Sequence, residues 1–76
     1  MAKRQVALAF PQDLLREPII YTIGQQFNVV TNILQADIDV FERRGWIVLE
    51  LEGEERDINE ALAWATSKGV RVEPPE

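Results

Sequence analysis

The sequence contains no cysteine and no histidine, and the two absences narrow its chemistry before any pattern is considered. Without cysteine the chain has no disulfide, no thiolate nucleophile and no sulfur ligand for zinc or an iron–sulfur cluster. Without histidine it lacks the side chain that titrates near neutrality and most often serves as general base or metal ligand. Serine occurs once, at Ser67, with no base in a triad pattern around it. The expectation is a protein that is not an enzyme, has no catalytic residue, and holds no metal and no cofactor. Long apolar runs are also missing. None approaches the ~20 residues that cross a bilayer, and the start MAKRQVALAF is too short in apolar residues for a secretory signal. No membrane insertion and a cytoplasmic location follow as expectations. Positive charge is in deficit, with 8 Lys and Arg against 13 Asp and Glu and a net charge of −5. The basic residues are scattered, whereas binding a phosphate backbone relies on clustered Lys and Arg, so nucleic acid is excluded as a partner.

What is present suits one small folded unit. The 76 residues are 46% hydrophobic and 28% charged, an ordinary globular balance, with a core limited by chain length. Residues Arg4 to Phe10 alternate as a strand with Val6, Leu8 and Phe10 inward. Pro11 ends it, and Gln12 to Glu17, with Leu14 and Leu15, reads as a turn or a loose helical turn. Ile19, Ile20, Ile23 and Phe27 recur at helical spacing and predict a helix over Pro18–Phe27, with Gly24 near the buried stripe as a point of close approach. Asn28 is its stop, since asparagine tolerates the left-handed conformation. Acidic residues at Glu54, Glu55 and Asp57 open a second helix, whose buried stripe is Ile58, Ala61, Leu62 and Ala65 and whose stop is Gly69. Trp64 is read as sealing the core margin rather than stacking a ligand. Val70 to Glu73 is a short last strand.

Between the helices lies a hairpin. Val30, Leu34, Ala36, Ile38 and Val40 share one parity, and Ile47, Leu49 and Leu51 form the matching set after a turn at Glu42–Gly45. Because strand side chains alternate faces, the two sets match if Phe41 opposes Trp46, Val40 opposes Ile47, Ile38 opposes Leu49 and Ala36 opposes Leu51. That register puts Asp37 opposite Glu50 and Asn32 on the inward face. The Asp37–Asp39 pair is a weak candidate for a cation site and is better read as a polar outer face. Asn32 has two readings: an amide satisfying backbone groups at the helix–strand junction, or a polar group poised for a ligand.

The order β-α-β-β-α-β predicts an α+β, ferredoxin-like fold, a four-stranded antiparallel sheet with two helices on one face. On the uncovered face the pattern places Ala7, Ala9, Phe41, Trp46 and Val48, an apolar patch that suggests a dimer or a docking surface.

The triplet Asn32-Ile33-Leu34, following a helix that ends Phe27-Asn28-Val29, resembles the signature of the NIL domain. The likeness continues through Gly45-Trp46, the strand ending Leu51-Glu52-Gly53, Ala61-Leu62-Ala63-Trp64 and Gly69-Val70-Arg71-Val72-Glu73, covering the chain from about Arg4 to Pro74. NIL domains are ferredoxin-like, related to ACT domains, and occur at the C-terminus of methionine-importer ABC ATPases and fused to ferredoxin modules. The resemblance implies one regulatory domain over residues 1–76 that binds a small amino acid, methionine or a related sulfur amino acid, at a homodimer interface. It implies ligand-binding roles for Asn32, Ile33 and Leu34, with Trp46 an outer candidate, and an ABC transporter ATPase or a sulfur-metabolism protein as partner. With neither a Walker motif nor cluster cysteines, the chain is expected to be a free-standing copy. The competing reading is a ligand-free interaction module docking through its open sheet face or its edge strand.

Overall fold

The computed structural model of the chain describes residues 1–11, 17–39, 41–42 and 44–75. The predicted turn at Gln12–Glu17, with Leu14 and Leu15, lies mostly outside the described residues, as do Val40 and Arg43 of the hairpin. The elements run β1 (Ala2–Phe10), α1 (Ile19–Gln26), β2 (Val30–Asp39), β3 (Arg44–Gly53), α2 (Glu55–Ser67) and β4 (Arg71–Glu73). The sheet is antiparallel throughout in the order β2-β3-β1-β4, so β1 and β3 are central and β2 is an edge, as the α+β ferredoxin-like reading requires.

Alternation sets the core. Val6, Leu8 and Phe10 of β1 and Leu49 and Leu51 of β3 point to one side of the sheet. There they meet Ile19 and Ile23 of α1 and Ile58, Ala61, Leu62 and Ala65 of α2, all buried. Every one of these positions carries an apolar side chain at the period its element demands. Pro18 occupies the cap of α1 rather than its first turn. Asn28 leaves the helix at φ 53°, and Gly69 leaves α2 at φ 105°, both in the left-handed region predicted for them. The turn at Asn28 presses on the end of β3. A Cβ added at Gly53 would stand 3.1 Å from Val29 Cγ1 and 3.2 Å from the Asn28 carbonyl oxygen, too close for an ordinary contact. Arg4 donates to Asn59 Oδ1 at 2.8 Å, tying β1 to α2.

Gly24 differs from expectation. A Cβ there would meet the Val29 carbonyl oxygen at 3.7 Å and Thr31 Oγ1 at 3.9 Å, ordinary van der Waals distances. No close approach requires glycine at this position of α1. Gly24→Ala is therefore expected to stabilise the fold by ~0.5–1 kcal/mol through the helix preference of alanine. In a thermal melt that corresponds to a rise of roughly 2–8 °C. A fall in Tm would mean that the helix packs on β2 more tightly than these distances allow.

Hairpin register departs from the prediction. The last pair is Asp39↔Arg44, and Asp37 opposes Trp46, while Ala36 opposes Ile47. Trp46 therefore meets a residue four positions earlier on β2 than predicted, and the turn is centred two residues earlier. The cause is local: one Asp39 carboxylate oxygen accepts the backbone N–H groups of Phe41 at 3.0 Å and Glu42 at 3.1 Å, starting the turn at Asp39. A second departure lies nearer the start of β2, where the register shifts between Ile33 and Gln35. Below that irregularity the faces exchange, as one extra residue in a strand must make them do. Val30 now opposes Glu52 and Thr31 opposes Leu51, so Val30 leaves the inward face predicted for it.

Candidate functional site

The residues singled out from the sequence fall in two places. Asn32 opposes Glu50, and since Glu50 shares its face with Gln5, the Asn32 amide lies on the open side of the sheet and is exposed. The inward placement predicted for it is corrected by the irregularity at Leu34. Ile33 opposes Leu49 and so takes the helix side, and Leu34 sits within the irregularity itself. Trp46 opposes Asp37 on one side and Ala9 on the other, on the open face, half-buried. Along β3 it stands four residues from Glu50, the partner of Asn32, or ~13 Å at the usual rise per residue. Within one copy, Asn32 and Ile33 thus lie on opposite faces of β2, and Trp46 shares the open face with Asn32 without adjoining it.

Around Trp46 the strands build a cleft of about 520 Å³ at the far end of the hairpin. Two cross-strand rows make it. The first runs Asp37 on β2, Trp46 on β3, Ala9 on β1 and Arg71 on β4. The second begins with the pair Asp39↔Arg44 and continues past Pro11 to Gly69. Ala9 lowers the floor between the indole and the Arg71 side. Arg71 pairs with Glu73 at 2.6 Å and Arg44 with Glu42, both at the surface, where such pairs are worth little. Sequence reasoning missed Arg71, because its membership depends on how β4 aligns with β1. Its parity with Glu73, opposite to that of buried Val70 and half-buried Val72, was the only signal available.

Other sequence expectations are settled by the same register. Glu50 does not face Asp37, and among the described residues no group of three or more carboxylates is placed to hold a metal ion. The apolar patch predicted on the open face does not exist as such. Ala7 and Val48 are buried, their neighbours on that face including Gln5, Glu50 and Glu73, while Phe41 is 97% exposed at the hairpin tip. The exposed apolar surface lies instead on β2, where Val30, Ile33, Leu34 and Ile38 are 62%, 52%, 46% and 56% exposed. Trp64 packs its ring against Phe27 at 5.8 Å between centroids, with the Lys68 ammonium 5.7 Å from its own centroid, at the core margin as expected. Among the described residues no helix is long and apolar enough to cross a membrane.

The chain combines a ferredoxin-like sheet, a long exposed edge strand and an open-face cleft. The NIL domain family model matches residues 4–74, and the chain belongs to that family. It is 33% identical over 70 residues to the methionine import ATP-binding protein MetN 1 of Bacillus anthracis, covering 90% of this chain and 20% of that protein. It is 32% identical over 73 residues to the protein of the same name from Listeria innocua, covering 93% of this chain and 22% of that one. The chain thus spans about one-fifth of the length of the curated relatives it matches. Its fold is similar to the crystal structure of the C-terminal domain of an ABC transporter ATP-binding protein from Enterococcus faecalis. The TM-score is 0.81 at 29% identity, over 92% of this chain and 80% of that one.

Proposed function

We propose that the chain is a non-catalytic regulatory module that takes a small amino acid, methionine or a related sulfur amino acid, at the boundary between two copies joined along β2. One observation carries this: a ten-residue edge strand, unpaired on its outer side among the described residues and exposed at eight of its ten positions, bears Ile33, Leu34, Ile38 and the Asn32 amide. An edge of that length and apolarity is a template for pairing with another chain. Antiparallel self-pairing over the whole strand brings no like charges together. Asp39 of one copy falls opposite Val30 of the other, and Asp37 opposite Asn32. The boundary then exposes on the open face the Asn32 amide, able both to donate and to accept, with Val30 beside it, and Ile33 and Ile38 on the helix face, polar and apolar groups of the kinds an amino acid with an apolar tail needs. Trp46, one strand inward, borders this boundary rather than lining it. The relatives' names motivate methionine as the ligand, an ABC transporter ATPase as the partner and the cytoplasmic side as the location.

The alternative, a ligand-free module docking an ABC ATPase or a sulfur-metabolism protein, draws on the same edge strand. Its open-face version is disfavoured by the burial of Ala7 and Val48. Calorimetry with L-methionine separates the two readings. Saturable heat is expected, weakened roughly 2- to 10-fold by Asn32→Ala, as loss of one hydrogen bond worth ~0.5–1.5 kcal/mol would do. Absence of heat with the wild-type chain would leave docking as the surviving reading. An Asn32→Ala chain that binds normally but melts lower would return the amide to a local structural role.

A further inference from the structure

The cleft around Trp46 extends across all four strands of one copy, meets the edge-strand boundary at Asp37, and differs from it in chemistry. We propose that it is a second binding site, complete within one copy, for a free zwitterion of aromatic amino acid size. Four observations converge on that ligand class. Among the described residues lining the cleft the formal charges balance, Asp37 and Asp39 against Arg44 and Arg71, in a chain whose net charge is −5. A site for phosphate or for a metal ion would carry an excess of one sign. The opposite charges are also separated in space. Asp37 on β2 and Arg71 on β4 end the same row, three strand spacings or about 14 Å apart at their backbones. That span leaves room between the two side chains for a molecule presenting an ammonium group to one and a carboxylate to the other.

Between them stand a half-buried indole and a small floor. Trp46 offers a flat apolar wall, and Ala9 beside it leaves the gap that a larger side chain would close. The volume of about 520 Å³ lies in the range of small-molecule pockets. Arg71 is suited to the carboxylate because its guanidinium can use two N–H groups at once, and its exposed pair with Glu73 is readily exchanged for one with a ligand. Asp37 is suited to the ammonium, since Asp39 already uses one carboxylate oxygen to hold the hairpin turn.

The chain's two tryptophans give a direct test, because Trp64 lies at the helix margin and can be replaced. In a Trp64→Phe background, titration with L-phenylalanine is expected to change Trp46 emission saturably. Asp37→Asn and Arg71→Ala, both at exposed positions, are each expected to weaken that response roughly tenfold. N-acetyl-L-phenylalanine and L-phenylalaninamide, each lacking one charge, are expected to lose a similar factor. If Trp64→Phe does not fold, amide shifts of Ala9, Gly45 and Gly69 in the unmodified chain read the same event. No saturable change, or a response indifferent to both substitutions and both blocked probes, overturns the proposal. A methionine response that depends on Asn32 and not on Arg71 reads the edge-strand site, and a phenylalanine response that depends on Arg71 and not on Asn32 reads the cleft, so either site can fail without the other.

Discussion

Replacing Leu49 by alanine is expected to remove about 2–5 kcal/mol of folding stability, the range for deleting a fully buried leucine and leaving a cavity. Leu49 is fully buried in the middle of β3, between Val6 of β1 and Ile33 of β2, and faces the layer formed by both helices. The paired backbones on either side limit collapse of its cavity. A chain of 76 residues at the usual stability per residue holds roughly 4–11 kcal/mol in total. The loss is therefore a large fraction of the whole, and Tm should fall by roughly 10–30 °C. Urea unfolding measures it directly, with an unchanged slope marking a pure stability effect. Ile38→Ala supplies the contrast. Ile38 is more exposed than buried, so its loss should cost under ~1 kcal/mol. Equal losses at the two positions would mean that the hairpin is buried along its whole length and that Leu49 is not at the centre of the core.

The pattern that identified the fold could not identify the hairpin register, and the reason is the period of a strand. Matching the apolar set of β2 to Ile47, Leu49 and Leu51 satisfies alternation as well when one strand slides past the other by four residues, because an even shift preserves every face. What chose between the registers was a single carboxylate, Asp39, capping two backbone N–H groups at the turn. The irregularity at Leu34 was harder still to see. On β1 and β3, burial on one side enforces alternation, and Val6, Leu8, Leu49 and Leu51 were legible for that reason. On β2 nearly every residue is exposed, so an extra residue costs little burial and leaves no trace in the pattern. That one residue moved Asn32 from the inner face to the outer. Helix ends were easier, because Asn28 and Gly69 sit at positions whose backbone conformation few other residues adopt cheaply. The cleft was beyond reach of sequence alone, since Arg71 joins it only through the pairing of β4 with β1.

Leu34→Lys is expected to weaken self-association of the chain roughly 10- to 100-fold while leaving each copy folded. The midpoint of β2 falls between Leu34 and Gln35, so a two-fold antiparallel pairing along Val30–Asp39 sets the two copies of Leu34 beside the axis. About half of this side chain is already buried within one copy, and pairing would cover much of the remainder. At 1.5–3 kcal/mol for full burial, two such remainders amount to about 1.5–3 kcal/mol per dimer, which is the stated change in dissociation constant. Lysine on an edge also adds a repulsive element, because two ammonium groups meet near the axis. That part of the effect is electrostatic and should shrink as salt rises, whereas the lost apolar burial should not. Sedimentation equilibrium at two salt concentrations reads both parts. Ala63→Lys, at an exposed position on α2, which packs chiefly against β3 and β4, should leave association unchanged. If the wild-type chain shows no association, or if Leu34→Lys associates like it, the edge strand is not the joining surface. The Asn32-Ile33-Leu34 segment would then need a different partner chain to cover it.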